Sequence, residues 1–376
     1  MFFRRIVMLL IVLTMLISPG MAQAQPEPHT LLMTFIPNIQ FAPMYAAIGA
    51  GYFADAGIDL SLEYLNEPDV VDLVASGQYQ FGVVSGEQII LAAAGNRPVI
   101  YVYEWFQQYP VGVVYDAALG IESASDLAGL RVGIAGRFGA SYSGFTTLLE
   151  SAEMVETDVQ LEEIGFAAPE VFCVGAVDAS VIYVNNEPLQ IRNRAANGDC
   201  GEVADVDVLY VSDVVDLVAN GIITNQDTAA NQPQFVRDFV AAYDMGLRLT
   251  IQNPARAYLL SAPFVEGLPL DDALRDALET QATEQEAFLA NNPSAEAIAA
   301  EHLAFREILG MNFDDETLLQ FDVLLASIPL WSAERLGYSD LESWENMQTT
   351  LLNLELLSEP VDLSTIYTNE FLPDEE

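Results

Sequence analysis

The sequence predicts an α/β protein folded as two lobes that face each other across a cleft. Three observations carry that expectation. From Leu31 onward short apolar runs alternate with helical stretches, the pattern of strands interleaved with helices in mainly parallel sheets. A second unit of the same kind starts after Asp116. Beyond Gln232 the chain reads as almost wholly amphipathic helix, which brings it back over the first unit.

Leu31 to Ile36 reads as a strand and Pro43 to Ala50 as a helix ended by Gly51. Ile58 to Tyr64 alternates apolar and polar residues, Pro68 to Ala75 is helical, and Phe81 to Val84 is a short buried strand running into Ser85-Gly86. Val99 to Tyr103 and Val111 to Tyr115 are the further strands of the first lobe. In the second, Arg131 to Ala135 is a strand followed by a glycine-rich turn and a helix from Ala140 to Ser151. Gln160 to Ile164, Ala179 to Val184 and Val206 to Tyr210 continue as strands, with helices at Pro169 to Val174 and from Glu187. The C-terminal helices are expected at Gln234 to Thr250, Pro254 to Leu260, Asp271 to Ala290, Ala295 to Leu309 and Leu341 to Leu357. The organisation expected is a leader at 1–24, a first lobe from 30–115 with 220–376, and a second lobe at 116–219. An acidic tail from Pro373 to Glu376 is expected in solvent.

The 376 residues, 52% apolar and 18% charged, suffice for two cores of ordinary size. All 13 basic residues are Arg, set against 55 Asp plus Glu, for a net charge of -42. Absence of lysine excludes a Schiff-base enzyme and a P-loop, both of which need the amine. The acidic balance argues against nucleic acid or an anionic membrane as partner, since Lys and Arg hold both.

Arg4-Arg5, the apolar run from Ile6 to Ile17 and Met21-Ala22-Gln23-Ala24 form the charged, apolar and small-x-small parts of an export signal, with cleavage near Ala24-Gln25. The apolar run falls short of the ~20 residues that span a bilayer. No Cys stands at the cleavage region, so no lipid anchor is expected. The only cysteines are Cys173 and Cys200, and an oxidising compartment leaves two readings open, a bridge or two unpaired thiols. A bridge would contribute about 3–4 kcal/mol on the chain-entropy model. His29 and His302 are the sole histidines and lie in no Cys/His cluster, so no metal site is expected.

The candidate site residues stand where strands end. The turn Ala135-Gly136-Arg137-Phe138-Gly139-Ala140-Ser141-Tyr142 opens a helix whose unpaired N–H groups could hold a polar or anionic group, with Gly136, Gly139, Ser141 and Tyr142 as candidates. Phe35-Ile36-Pro37-Asn38-Ile39-Gln40-Phe41 interleaves rings and amides, which suits a planar heterocycle and singles out Phe35, Asn38 and Gln40. Ser85 and Glu87, Tyr103 in Tyr103-Glu104-Trp105-Phe106, and Tyr183, Asn186 and Glu187 in Tyr183-Val184-Asn185-Asn186-Glu187-Pro188 occupy equivalent places. Strand ends converging with rings and amides make a small-molecule site. Catalysis is poorly supplied: there is no Gly-x-Ser-x-Gly elbow and no His in these loops.

Taken in order, the residues resemble the SsuA/THI5-like (NMT1) substrate-binding proteins of ABC importers. The resemblance runs through Phe35-Ile36-Pro37-Asn38, Gly51-Tyr52-Phe53-Ala54-Asp55-Ala56-Gly57-Ile58, Phe81 to Glu87, Asp126 to Gly133 and Tyr183 to Pro188, covering roughly residues 30 to 250. It implies a periplasmic-binding-protein type II fold that closes on its ligand and docks on a permease, working as a monomer without cofactor. Within the family the likeness is to binders of the thiamine pyrimidine precursor and of riboflavin, where a flat ring lies between aromatics. It implies stacking by Phe35 or Tyr142, hydrogen bonds from Asn38, Ser85 and Glu187, and a polar substituent held by the turn from Gly136 to Ser141. A fungal enzymatic branch needs a lysine, a histidine and a Cys-rich motif; this chain has no lysine and no such motif. Two other readings remain: a binder of an alkylsulfonate or other small anion anchored at that turn, and an exported hydrolase, for which no nucleophile-base pair is visible.

Overall fold

The computed structural model describes residues 26–374. The expected leader and the last two residues of the acidic tail lie outside them. The first lobe is built from β1 (Glu27–Thr34), α1 (Ala42–Gly49), α2 (Tyr52–Asp55), β2 (Ile58–Leu65), α3 (Glu67–Ala75), β3 (Phe81–Ser85), α4 (Gly86–Ala94) and β4 (Val99–Glu104). The second holds β5 (Val111–Asp116), β6 (Arg131–Ile134), α5 (Gly139–Ser151), β7 (Gln160–Glu163), α6 (Ala168–Cys173), β8 (Ala179–Tyr183), α7 (Glu187–Ala196) and β9 (Val206–Tyr210). The chain then re-enters the first lobe as β10 (Asn220–Asn225). It continues through α8 (Gln226–Asn231), α9 (Pro233–Gln252), α10 (Pro254–Ser261), α11 (Asp272–Leu289), α12 (Ala295–Gly310), α13 (Asp315–Trp331) and α14 (Leu341–Asn353).

Each lobe carries a five-stranded sheet, in the orders β2-β1-β3-β10-β4 and β7-β6-β8-β5-β9. The sheets are mixed rather than mainly parallel. β10 runs antiparallel to β3 and β4, and β5 runs antiparallel to β8 and β9. These are the strands the chain enters when it crosses between lobes, so the crossing itself reverses their direction. For the same reason β5, expected in the first lobe, pairs in the second. β10 and α13 are elements the apolar pattern did not reveal.

Burial follows the layers. β3 is buried along its whole length between helices, and Gly82 in its middle lets α3 approach: a Cβ there would sit 2.4 Å from Val70 Cγ1. This close contact hangs the first residue of α3, Glu67, over the end of β3. β1 stops at Thr34, earlier than expected, because Phe35 takes a left-handed φ of 69° that no strand continues. α13 lies against α7 of the second lobe and against the turn at Ile39–Phe41. Cys173, ending α6, and Cys200, beyond α7, are joined by a disulfide. Among the described residues no helix is long and apolar enough to cross a membrane.

Candidate functional site

The ends of β1, β2, β6 and β8 and the crossing segments open on one cleft between the lobes, enclosing about 750 Å³ counting the part open to solvent. Its walls are aromatic: Phe35, Phe41, Trp105, Phe106, Phe138, Phe166 and Tyr183 all line it. Phe35 from the first lobe meets Phe166 from the second edge-on at 4.8 Å, at the mouth. Deeper, Trp105 packs at 5.6 Å from Phe41 and stacks on Trp331 at 6.0 Å. The indole N–H of Trp105 is buried without a hydrogen-bond partner.

The polar lining consists of Thr34, Gln40, Asn66, Glu67, Ser141, Glu187 and Asn220, with no Arg and no His. Several of these groups are already held in place. Gln40 Oε1 accepts from Asn185 Nδ2 at 3.0 Å, and the same amide donates to Ser327 on α13 at 2.6 Å, so three segments fix one side chain. Tyr183 donates its hydroxyl to Asn220 Oδ1 at 2.8 Å across the crossing strand. Glu187, first residue of α7, accepts from its own strand's Tyr183 N–H at 2.9 Å and from Asn186 Nδ2 at 2.9 Å. Burial raises its pKa to about 7 even so.

Glu67 is the more unusual acid. Its Oε2 accepts the Ser85 backbone N–H at 3.1 Å and touches the Ser85 hydroxyl, which also touches Glu87 Oε1. A hydroxyl has one proton, so it can donate to only one of two carboxylates and must accept from the other. At least one proton therefore sits on the Glu67–Glu87 pair. Burial first, then the neighbouring Glu87 charge, pushes Glu67 up to about 8, and burial also raises Glu87.

The expected site residues divide accordingly. Phe35, Gln40, Gly139, Ser141, Tyr183 and Glu187 line the cleft. Asn38 and Asn186 line an adjoining outer groove that shares Phe35, Phe166 and Glu187 with it, and Asn38 spends its side-chain oxygen on the Gln40 N–H. Ser85 and Glu87 lie one layer behind, fully buried, and reach the cleft only through Glu67.

Three expectations are corrected. Tyr103 points away from the cleft into α9, where it donates to Asp244 Oδ1 at 2.9 Å. Tyr142 does not stack in the cleft but donates to Glu156 at 2.9 Å, because α5 turns that face outward. Gly136 is walled off by the Phe138 ring, which a Cβ at Gly136 would meet at 2.4 Å. Glu67, Phe138, Phe166 and Asn220 line the cleft without being among the expected site residues, and of the aromatic run Tyr103-Glu104-Trp105-Phe106 it is Trp105 and Phe106 that face it. One signal for Glu67 was present: Asn66-Glu67-Pro68 repeats Asn186-Glu187-Pro188, each following a strand and opening a helix.

Two α/β lobes with a ligand-sized cleft at their strand ends define a periplasmic-binding-protein fold. The aliphatic sulphonate binding protein SsuA of Escherichia coli has that fold, at a TM-score of 0.61 and 16% identity, covering 93% of this chain and 95% of that one. The chain belongs to the NMT1/THI5 like family, whose model matches residues 38–257. It is 32% identical over 360 residues to the riboflavin-binding protein RibY of Chloroflexus aurantiacus, covering 94% of this chain and 88% of that protein. It is 23% identical over 350 residues to a 4-amino-5-hydroxymethyl-2-methylpyrimidine phosphate synthase of Legionella pneumophila, covering 92% of each. As a family member with these relatives, it has a substrate-binding role.

Proposed function

We propose that this protein is an exported, non-enzymatic capture protein that binds a flat, uncharged heterocycle and delivers it to an ABC permease. Riboflavin is the first candidate cargo and the thiamine pyrimidine precursor the second. The observation that carries the reading is the composition of the cleft wall: seven rings, amides and two high-pKa carboxyls, with no cation. Rings offer faces for stacking, and Asn, Gln and carboxyl groups match donors and acceptors on a heterocycle's edge. Synthase chemistry built on a lysine aldimine has no amine to use here.

A sulfonate reading has the fold in its favour, but an anion would meet Glu67 and Glu187 with no Arg to receive it. The reading is tested by titrating the protein with riboflavin, the aminopyrimidine, thiamine and taurine while following melting temperature and tryptophan fluorescence. A ligand that binds only the folded state raises the melting temperature. A shift with one flat ring, lost in Glu187→Ala, supports the reading; a shift with taurine alone overturns it.

A further inference from the structure

Glu67 belongs to the first lobe, yet its carboxyl lies against the second. A Cβ on Gly139, the first residue of α5, would sit 3.0 Å from Glu67 Oε1 and 3.2 Å from its Cδ. Gly139 also has a φ of +70°, so both space and backbone call for glycine at this point of contact.

The α5 end that meets this carboxyl has no cap of its own. Phe138 precedes it without a side-chain hydrogen bond, and the first turn of α5 contains no acid. Thirteen residues of aligned peptide dipoles therefore bring their positive end to the cleft, which Gly139, Ala140 and Ser141 line. Such a helix end is where a small anion binds in α/β proteins. The one guanidinium of the turn does not assist: Arg137 turns outward to Glu156, at 2.9 Å, and to Glu163.

We propose that Glu67 is the specificity residue that bars anionic ligands, by occupying from the opposite lobe the helix end that an anion would take. It is a built-in tenant. The Ser85 backbone N–H holds it at 3.1 Å, and the proton shared with Glu87 lets two buried acids sit together. An incoming sulfonate or phosphate must displace a carboxyl that is tethered to the end of β3 in its own lobe. The proposal deepens the reading of the cleft as a heterocycle site and rests on it for the ligands that remain admitted.

The test titrates the wild type, Glu67→Gln and Glu67→Ser with 1-butanesulfonate and, separately, with riboflavin and the aminopyrimidine, by calorimetry at pH 7.5. The expected result is butanesulfonate binding by Glu67→Ser at least tenfold tighter than any shown by the wild type. Glu67→Gln, which keeps the volume and loses the acid, is expected between the two. Should the serine variant not unfold cooperatively, Glu67→Asp withdraws the acid from Gly139 by one methylene and is expected to shift in the same direction. Butanesulfonate binding by the wild type as tight as by the variants overturns the proposal, as does a folded Glu67→Ser or Glu67→Asp that gains none. If riboflavin and the aminopyrimidine both fail on the wild type while Glu67→Ser gains the sulfonate, the heterocycle reading falls and the anion bar stands.

Discussion

Glu67 and Glu187 begin from the same local sequence and end in different electrostatic states. Each is the glutamate of an Asn-Glu-Pro triplet, each opens a helix, and each faces the cleft, one from either lobe. Glu187 takes its hydrogen bonds from its own strand and its neighbour Asn186. Glu67 takes its own from β3, a different strand, and shares a hydroxyl with a second acid. The triplet places a carboxyl at the cleft; what stands behind it decides whether that carboxyl answers to one charge or two.

The comparison can be broken first by pH. Both acids have folded-state pKa values raised above 4.5, to about 8 and about 7, so the folded state holds protons that the unfolded state has lost. Stability must then fall as pH rises from about 4.5 toward 8, by up to about 1.4 kcal/mol per pH unit for each such group. Urea titrations at pH 5, 6, 7 and 8 are expected to show this decline, shallower between pH 7 and 8 in Glu67→Gln than in Glu187→Gln, with the buried Glu104, also raised to about 8, keeping a slope in both. Equal flattening in both variants would mean the two sites are alike.

Reduction of the Cys173–Cys200 bridge separates the lobes next, because it ties α6 to the far end of α7, which carries Glu187, and nothing covalent ties α3. A loss of about 2–4 kcal/mol is expected, with faster amide exchange in α6 and α7 and none in α3. Alkylation without reductant is expected to label neither cysteine. Ser85→Ala, which removes the shared hydroxyl, is expected to cost about 1–3 kcal/mol and to leave the pH profile of Glu187 where it was. The smallest effect is assigned to Asn186→Ala, about 1 kcal/mol, read as a further rise in the Glu187 pKa by carbon-detected NMR while Glu67 stays fixed.

Much of this architecture was legible in the residues. Short apolar runs located the strands of both sheets except β10, whose apolar part is only Ile222-Ile223 between polar neighbours. α13 escaped for the opposite reason: its apolar residues surround much of the helix, so no clear stripe marks it. Strand direction was misread because a parallel pattern and a crossing strand look the same locally, and only the return of the chain reverses β5 and β10. In the site, the strand-end rule found Phe35, Tyr183 and Glu187 but could not say which way a ring turns. Tyr103 and Trp105 are two residues apart at one strand end, yet one serves the packing of α9 and the other lines the cleft. Phe166 lies in a loop after β7 with no pattern to mark it, and it reaches the site only through the closeness of the lobes.

The way the chain crosses between lobes carries a further consequence. β4 and β10, which lead out of and back into the first lobe, are neighbours in one sheet, and β5 and β9, which begin and end the second, are neighbours in the other. The whole second lobe is thus a single uninterrupted cassette spliced into the first through two adjacent seams. Phe138, Gly139, Phe166 and Glu187 travel with it, while Glu67, Phe35 and Trp105 remain with the host, so exchanging the cassette between relatives would reassort half of the binding wall at a stroke and give α13 and α14 a new surface to meet.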